Sequence, residues 1–166
     1  MNLAVIAVIV VPAVLGVAGL LIVVSGLGVW GQAHRLSREH QGGMSLFSQK
    51  SPQLEQALTS LGRAADRSGF YYLLFVDSEA LHLYLGGQLV ISAPISQVRG
   101  CRVSTTLVRG LDLPCVMVTL EEHGIGVELP IQAAGTPWAA LVPTSPSRAS
   151  KFSERLRRHI GAAAAG

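Results

Sequence analysis

The chain has 166 residues, of which 49% are hydrophobic, and its 13 Lys and Arg against 10 Asp and Glu give a formal net charge of +3. This length suits one membrane segment followed by one soluble domain of about 135 residues. The weak positive charge fits a protein beside an anionic membrane surface and is too small to indicate nucleic-acid binding. Two cysteines, Cys101 and Cys115, are too few for a disulfide scaffold, so we expect buried, reduced thiols.

The first feature along the chain is a long run without charge. Residues 3–30 read LAVIAVIVVPAVLGVAGLLIVVSGLGVW, and the first charged side chain is Arg35. About 20 apolar residues in a helix cross the hydrocarbon core of a bilayer. A signal peptide would have a positive N-terminal region and a shorter apolar core. We therefore expect a retained transmembrane anchor over residues 1–31, with Trp30 at the membrane interface.

The charges beside this run predict its orientation. Arg35 and Arg38 follow the run, and no Lys or Arg precedes it. Since positive flanks remain on the cytoplasmic side, the chain should be a single-pass protein of the plasma membrane with its N-terminus outside and its C-terminal domain in the cytoplasm. Small residues such as Gly16 and Gly19 would allow the span to pack closely against other helices, in a homo-oligomer or a larger membrane complex.

Two segments connect the anchor to the rest of the chain. Residues 32–50 are polar and are expected to form a juxtamembrane linker, which could continue the helix as far as His40. Residues 51–69 are expected to contain an amphipathic helix over 52–67, because Ser51 and Pro52 are typical of a helix N-terminus. Its apolar face would consist of Leu54, Leu58, Leu61 and Ala65.

From residue 70 the pattern becomes that of short antiparallel strands. The predicted strands are 70–76, 80–85, 89–93, 101–107, 115–120 and 125–131, and residues 95–98 lead into the fourth. In the fourth, Cys101, Val103 and Leu107 alternate with polar residues and should share one face. Residues 138–142 could form a short strand or a turn of helix. A final amphipathic helix begins at Ser145 and Pro146, with an apolar stripe formed by Ala149, Phe152, Leu156 and Ile160.

Residues 76–103 carry a resemblance to a known family. Their sequence, VDSEALHLYLGGQLVISAPISQVRGCRV, runs through a turn, an apolar strand, a glycine hairpin, a strand ending in Ala-Pro-Ile and an alternating strand. Together with the last helix, this order resembles a pleckstrin-homology-like domain of the bacterial PH or GRAM-like type. The resemblance implies an α+β fold over residues 70–166, in which a small antiparallel β-barrel or sandwich is followed by a C-terminal capping helix.

The same resemblance implies a function. Such domains bind lipid headgroups, peptides or protein partners and have no catalytic activity. Their lipid-binding members carry Lys and Arg near the first hairpin, where this chain has the acidic turn Asp77, Ser78 and Glu79. Phosphoinositide binding in that mode is therefore not expected.

The motifs of common enzymes are absent from the sequence. It contains no H-E-x-x-H, no G-x-S-x-G, no Walker A loop and no pair of C-x-x-C motifs. His82, His123 and His159 fall on separate predicted elements, so we expect solvated or packed histidines rather than a metal site. The sequence thus predicts a protein that is not an enzyme and needs no cofactor.

The basic residues of the domain are candidates for contact with anionic lipid or with a partner. One Lys or Arg near an anionic surface contributes about 1 kcal/mol. The alternative is a solvated helix face whose cations complement the helix dipole. The candidates are Arg99, Arg102, Arg109, Arg148, Lys151, Arg155, Arg157 and Arg158, and the proposed anchors at the membrane interface are Trp30, Arg35 and Arg38.

Together, these observations predict a non-enzymatic, single-span membrane protein that presents a cytoplasmic PH-like module. The module would recruit or stabilise a protein partner at the membrane. Two alternatives remain: an accessory subunit of a larger membrane complex, and peripheral binding of anionic lipid through the basic C-terminal helix.

Overall fold

The structure is a computed structural model that describes residues 3–40, 42–63, 69–108, 110–122 and 124–164. Within them it has the α+β composition that the sequence predicts. The helices are α1 (Leu3–Glu39), α2 (Pro52–Ser60) and α3 (Pro146–Ala164), with short 3₁₀ turns at Ile95–Gln97 and Ala139–Leu141. The strands are β1 (Met44–Gln49), β2 (Tyr71–Val76), β3 (Ala80–Leu85), β4 (Gln88–Pro94), β5 (Val98–Val108), β6 (Leu111–Glu122) and β7 (Ile125–Ile131).

Helix α1 has two parts that differ in their surroundings. Every residue from 10 to 21 is exposed, whereas Val29, Ala33 and Leu36 are each only 6% exposed. The helix is long and apolar enough to span a membrane. Residues 3–24 alone measure about 33 Å, close to the thickness of a hydrocarbon core. The apolar run therefore divides into a segment of spanning length and a segment that packs on the domain.

The first sheet contains a strand in the segment expected to be a linker. Its order is β1-β2-β3-β4 with antiparallel neighbours, and Met44 of β1 pairs with Val76 of β2. The continuation of the helix toward His40 agrees with α1, which runs to Glu39, but the expectation of a linker after it is wrong, since β1 begins at Met44. Strand β1 forms because Met44 and Leu46 contribute to the core while Phe47 packs on the α1 side.

The second sheet has the order β5-β6-β7, so the strands form two separate sheets and no closed barrel. Strands β5 and β6 form a long ribbon that continues past the end of β7, where Ile131 pairs with Val116. Along this ribbon only part of the expected apolar face of β5 is buried. Cys101 is buried, whereas Val103 and Leu107 are 41% and 50% exposed, and the buried side chains further along β5 are Thr106 and Val108 on its other face.

The main core lies between the sheets and includes side chains from α2 and α3. Leu54 and Leu58 come from α2, and Ala149, Leu156 and Ile160 come from α3. Helix α2 is shorter than expected. It ends at Ser60, where the amides of Gly62 and Arg63 bond back to the carbonyls of Thr59 and Leu58 and Gly62 has a φ of 66°. This is a Schellman ending, and the expected continuation over 64–67 lies outside the described residues.

Candidate functional site: a cleft between the long helix and the first sheet

The site is built where α1 joins the domain. Strand β2 is buried on both faces, because Tyr71, Leu73 and Phe75 face α1 while its alternate residues face the main core. Val29, Ala33 and Leu36 of α1 pack on that outer face, in a second apolar cluster. The continuous apolar sequence of β2 follows from this position between a helix and a core.

Both tryptophans lie at this junction. Trp30 stacks on Phe47 with ring centroids 6.0 Å apart and meets His34 edge-on at 4.9 Å, so its ring packs within the protein. Trp138 lies against Gly26, where an added Cβ would come 2.5 Å from two atoms of its indole ring. The lack of a side chain at Gly26 therefore lets α1 pack against Trp138. Trp138 is 37% exposed and lies where the packed part of α1 begins.

A cleft of about 630 Å³ opens on another side of α1. Three segments form it: one stripe of α1, the start of β2 and the turn between β3 and β4. The residues that determine its chemistry are Gly28, Gln32, Arg35, Phe70, Tyr71 and Gly87. Because Ser25 lines one end and Arg35 the other, the cleft follows α1 from the start of its packed segment toward its charged end.

Glycines shape the cleft. Gly86 and Gly87 have φ values of 55° and 84°, as a two-residue type I′ hairpin turn requires, and this tight turn brings the Gly87 carbonyl to α1. A Cβ added at Gly28 or Gly31 would meet no atom within 4 Å, so these helix positions leave space open. Side chains there would fill the cleft rather than collide with its walls.

The polar groups of the cleft are few. Gln32 Nε2 donates to the carbonyl of Gly87 at 3.3 Å, while Gln32 Oε1 is buried without a partner among the described residues. The hydroxyl of Tyr71 is likewise buried and unpartnered within the described chain, and the residue is 1% exposed. Burial raises the pKa of Tyr71, so its hydroxyl stays protonated. Arg35 is the one charged residue of the described lining.

A second polar cluster joins the C-terminal end of α1 to the turn between β2 and β3. Asp77 Oδ2 lies 2.9 Å from His40 Nδ1 and 3.8 Å from His82 Nε2, and Asp77 Oδ1 accepts hydrogen bonds from the amides of Glu79 and Ala80. Burial alone would raise the pKa of Asp77, but the two amides and the neighbouring histidines lower it below its usual value. The cluster therefore holds an ionised carboxylate that fastens α1 to the sheet.

The predicted basic residues are dispersed over the domain. Arg99 pairs with Glu121, and Arg102 pairs with Glu128 at 2.9 Å, so both bond to carboxylates of their own sheet. Arg157 Nε donates to the carbonyl of Cys101 at 2.9 Å, which attaches α3 to β5. Arg109 lies outside the described residues. The exposed remainder on α3 is Arg148, Lys151, Arg155 and Arg158, and Arg35 and Arg38 are exposed on α1.

The two cysteines are free and buried, as expected. They are not opposite each other, since Cys101 pairs with Val118 and Cys115 with Ser104. Burial raises the pKa of Cys115 to about 11, which keeps it an unreactive thiol at neutral pH. In the described part of the chain, no group of three His, Cys, Asp or Glu residues is arranged to hold a metal ion.

The cleft could not be found from sequence, because its three walls come from residues 25–35, 69–71 and 86–87. From sequence alone, the three segments are interpreted separately, as part of the span, a strand and a hairpin turn. Only the packing of α1 on β2 brings these segments together around the cleft. Comparison of the chain with models of known protein families and with curated proteins gives no match.

Proposed function

We propose that the chain is a non-enzymatic, single-span membrane protein whose PH-like module recruits or steadies a protein partner at the cytoplasmic face. The continuity of α1 carries this proposal, because the apolar helix goes on through Val29, Ala33 and Leu36 into the packing of the domain. A module attached by packing has a fixed distance and tilt relative to the bilayer. A module held in a fixed position relative to the bilayer suits a protein that positions a partner protein at the membrane.

Two further features support the proposal. Antiparallel sheets of four and three strands followed by a C-terminal helix agree with the architecture that the PH-like resemblance implies. Trp138, Leu141 and Val142 are apolar residues of one short segment, 37%, 46% and 58% exposed, and Trp138 lies against Gly26 on α1. Exposed apolar side chains beside a spanning helix favour contact with the bilayer, since aromatic and apolar groups are stabilised at that interface.

The best candidate for the partner surface is the outer part of the β5–β6 ribbon. Val103 and Leu107 are 41% and 50% exposed there, on the same face of β5. Exposed apolar residues grouped on a protruding element favour a protein interface. We expect the partner to cover this group.

Co-purification with matched variants tests the function. The tagged full chain is extracted from membranes in mild detergent, and bound proteins are quantified by mass spectrometry. A specific partner should stay with the wild type and with Ile125→Asp, a control at a 66% exposed residue in the β6–β7 turn region. It should be lost from the double variant Val103→Asp, Leu107→Asp. Equal recovery from all three proteins, or no specific partner, would contradict the proposal.

The second candidate function, an accessory subunit of a membrane complex, is favoured by one observation. Gly16 and Gly19 have no atom within 4 Å of an added Cβ, so the span has open positions for a neighbouring helix. The double variant Gly16→Leu, Gly19→Leu separates the two functions. Loss of the partner from this variant alone supports the accessory subunit, whereas loss from the ribbon variant alone supports recruitment by the module.

A further inference from the structure

We infer that the cleft between α1 and the first sheet binds the headgroup of an anionic phospholipid with headgroup hydroxyls, of which phosphatidylglycerol is the simplest example. This inference rests on the proposed crossing of the bilayer by α1. It is independent of the protein partner, because the cleft and the β5–β6 ribbon share no residue.

The cleft lies at the height of lipid headgroups. Its lining on α1 begins at Ser25, directly after the exposed apolar segment, and ends at Arg35. Ten residues of helix rise about 15 Å, about twice the polar layer of about 5–8 Å on each side of the hydrocarbon core. The long side chain of Arg35 can extend back toward that layer, because helix side chains tilt toward the N-terminus. A lipid can therefore enter the cleft with its headgroup while its acyl chains stay beside the apolar half of α1.

The positive charge of the cleft favours an anionic ligand. Arg35 is its one charged lining residue in the described chain, and no carboxylate lines it there. Glu39 Oε1 lies 3.7 Å from Arg35 Nε, but both side chains are more than half exposed. Such a surface pair contributes little, so Arg35 can turn to a phosphate at small cost. Guanidinium groups bind phosphate oxygens with charge-assisted hydrogen bonds.

The unpartnered polar atoms of the cleft residues favour a ligand that carries hydroxyl groups next to its phosphate. Gln32 Oε1 needs a donor, and the Tyr71 hydroxyl needs at least one partner, yet neither has one among the described residues. Buried polar atoms in folded proteins are almost always hydrogen-bonded. Both residues line the cleft, so small rotations of their side chains toward it would let the two hydroxyls of a phosphatidylglycerol headgroup satisfy both atoms, while its phosphate meets Arg35.

The shape of the cleft fits this ligand. Its volume of about 630 Å³ is within the range of small-molecule sites. Gly28 and Gly31 keep the α1 side open, and Phe70, which is 52% exposed, supplies an apolar rim for the first part of an acyl chain. Unlike a uniformly apolar groove, this one combines a cation, two unpartnered polar atoms and an apolar edge.

Native mass spectrometry of the full chain in nanodiscs tests the site. The nanodiscs contain phosphatidylcholine with phosphatidylglycerol or phosphatidic acid as minor component. The wild type should retain one phosphatidylglycerol per chain. Gly28→Leu fills the cleft and should abolish retention, whereas Gly19→Leu, in the span, should keep it. Arg35→Gln should weaken it about tenfold by removing a charge-assisted bond.

Headgroup selectivity provides the sharpest readout. Tyr71→Phe should lower retention of phosphatidylglycerol but not of phosphatidic acid, which has no headgroup hydroxyl. Circular dichroism shows whether each variant is folded, and alkaline extraction of membranes shows whether it is inserted. A chain that is not inserted overturns the anchor itself. An inserted chain in which Gly28→Leu retains the lipid overturns the cleft site alone.

Two other outcomes would also overturn the inference. If soluble glycerophosphoglycerol binds as tightly as the lipid does, the site recognises a free phosphodiester. If Gly28→Leu loses a second protein helix instead of lipid, the open glycines serve helix packing.

Discussion

Replacement of Gly26 by Ala tests how the domain is attached to α1. The new Cβ would lie 2.5 Å from two atoms of the Trp138 ring, closer than packed carbons come. Overpacking costs about 1–3 kcal/mol, and since the clashing atoms are at the far end of the indole, which can move outward, we expect about 1–2 kcal/mol. Against this, Ala in place of Gly stabilises a helix by about 1 kcal/mol. The net effect of Gly26→Ala is a decrease in the free energy of unfolding of up to about 1 kcal/mol.

Gly31→Ala is the matched control, because a Cβ there meets no atom within 4 Å. Gly31→Ala should raise the free energy of unfolding by the full difference in helix propensity between Ala and Gly, about 1 kcal/mol. Thermal unfolding of the full chain in detergent should separate the two variants by roughly 2–8 °C at this chain length. In a Trp30→Phe background, Trp138 emission should shift to the red in Gly26→Ala only. Equal melting temperatures together with unchanged emission would refute the packing of Trp138 on Gly26.

Two further predictions concern the fold. Asp77→Asn removes the charge beside His40 and should destabilise by about 1–2 kcal/mol at pH 7. Because the folded-state pKa of Asp77 is lowered, this stabilisation is present above the unfolded-state value of about 3.9 and is lost as the pH falls through the folded-state value. The difference in melting temperature between the two proteins should therefore be smaller at pH 3 than at pH 7, and a constant difference would contradict the pairing. Ser51→Ala removes the acceptor of the Leu54 amide and should lower the free energy of unfolding by about 0.5–2 kcal/mol. The control Ser60→Ala, at the exposed end of α2, should lower it by less, and equal melting temperatures of the two variants would argue against the cap.

Some elements could be predicted because their signals are local. The β2–β4 region has alternating or continuous apolar runs separated by turn residues, and α3 has an N-terminal signature with a single apolar stripe. The start of α2 at Pro52 follows from its Ser51 cap for the same reason. Each of these features depends on residues within a few positions of one another.

The end of the exposed apolar segment of α1 could not be predicted from composition. Val29 is as apolar as Val17, but the first is 6% exposed on the domain and the second is 60% exposed. A sequence does not distinguish an apolar side chain that faces lipid from one that faces a sheet. The expected anchor over 1–31 therefore includes residues that belong to the domain's packing.

Strand β1 was missed for a related reason. Its sequence, MSLFSQ, contains three polar residues and follows two glycines, so nothing local favours a strand. It exists because β2, more than 20 residues later, supplies an antiparallel partner and α1 covers its outer face. The cleft depends on the same long-range packing.

The central claim is that the first part of α1 lies in the bilayer while the rest belongs to a cytoplasmic domain. Cysteine labelling with a membrane-impermeant maleimide tests it directly, and the background is low because Cys101 and Cys115 are buried. Leu20→Cys, at a 62% exposed residue in the apolar part, should remain unlabelled in intact cells and after lysis. Ser37→Cys, at an exposed position near the end of α1, should be labelled only after lysis. Labelling of Ser37→Cys in intact cells, or of Leu20→Cys under either condition, would contradict the account.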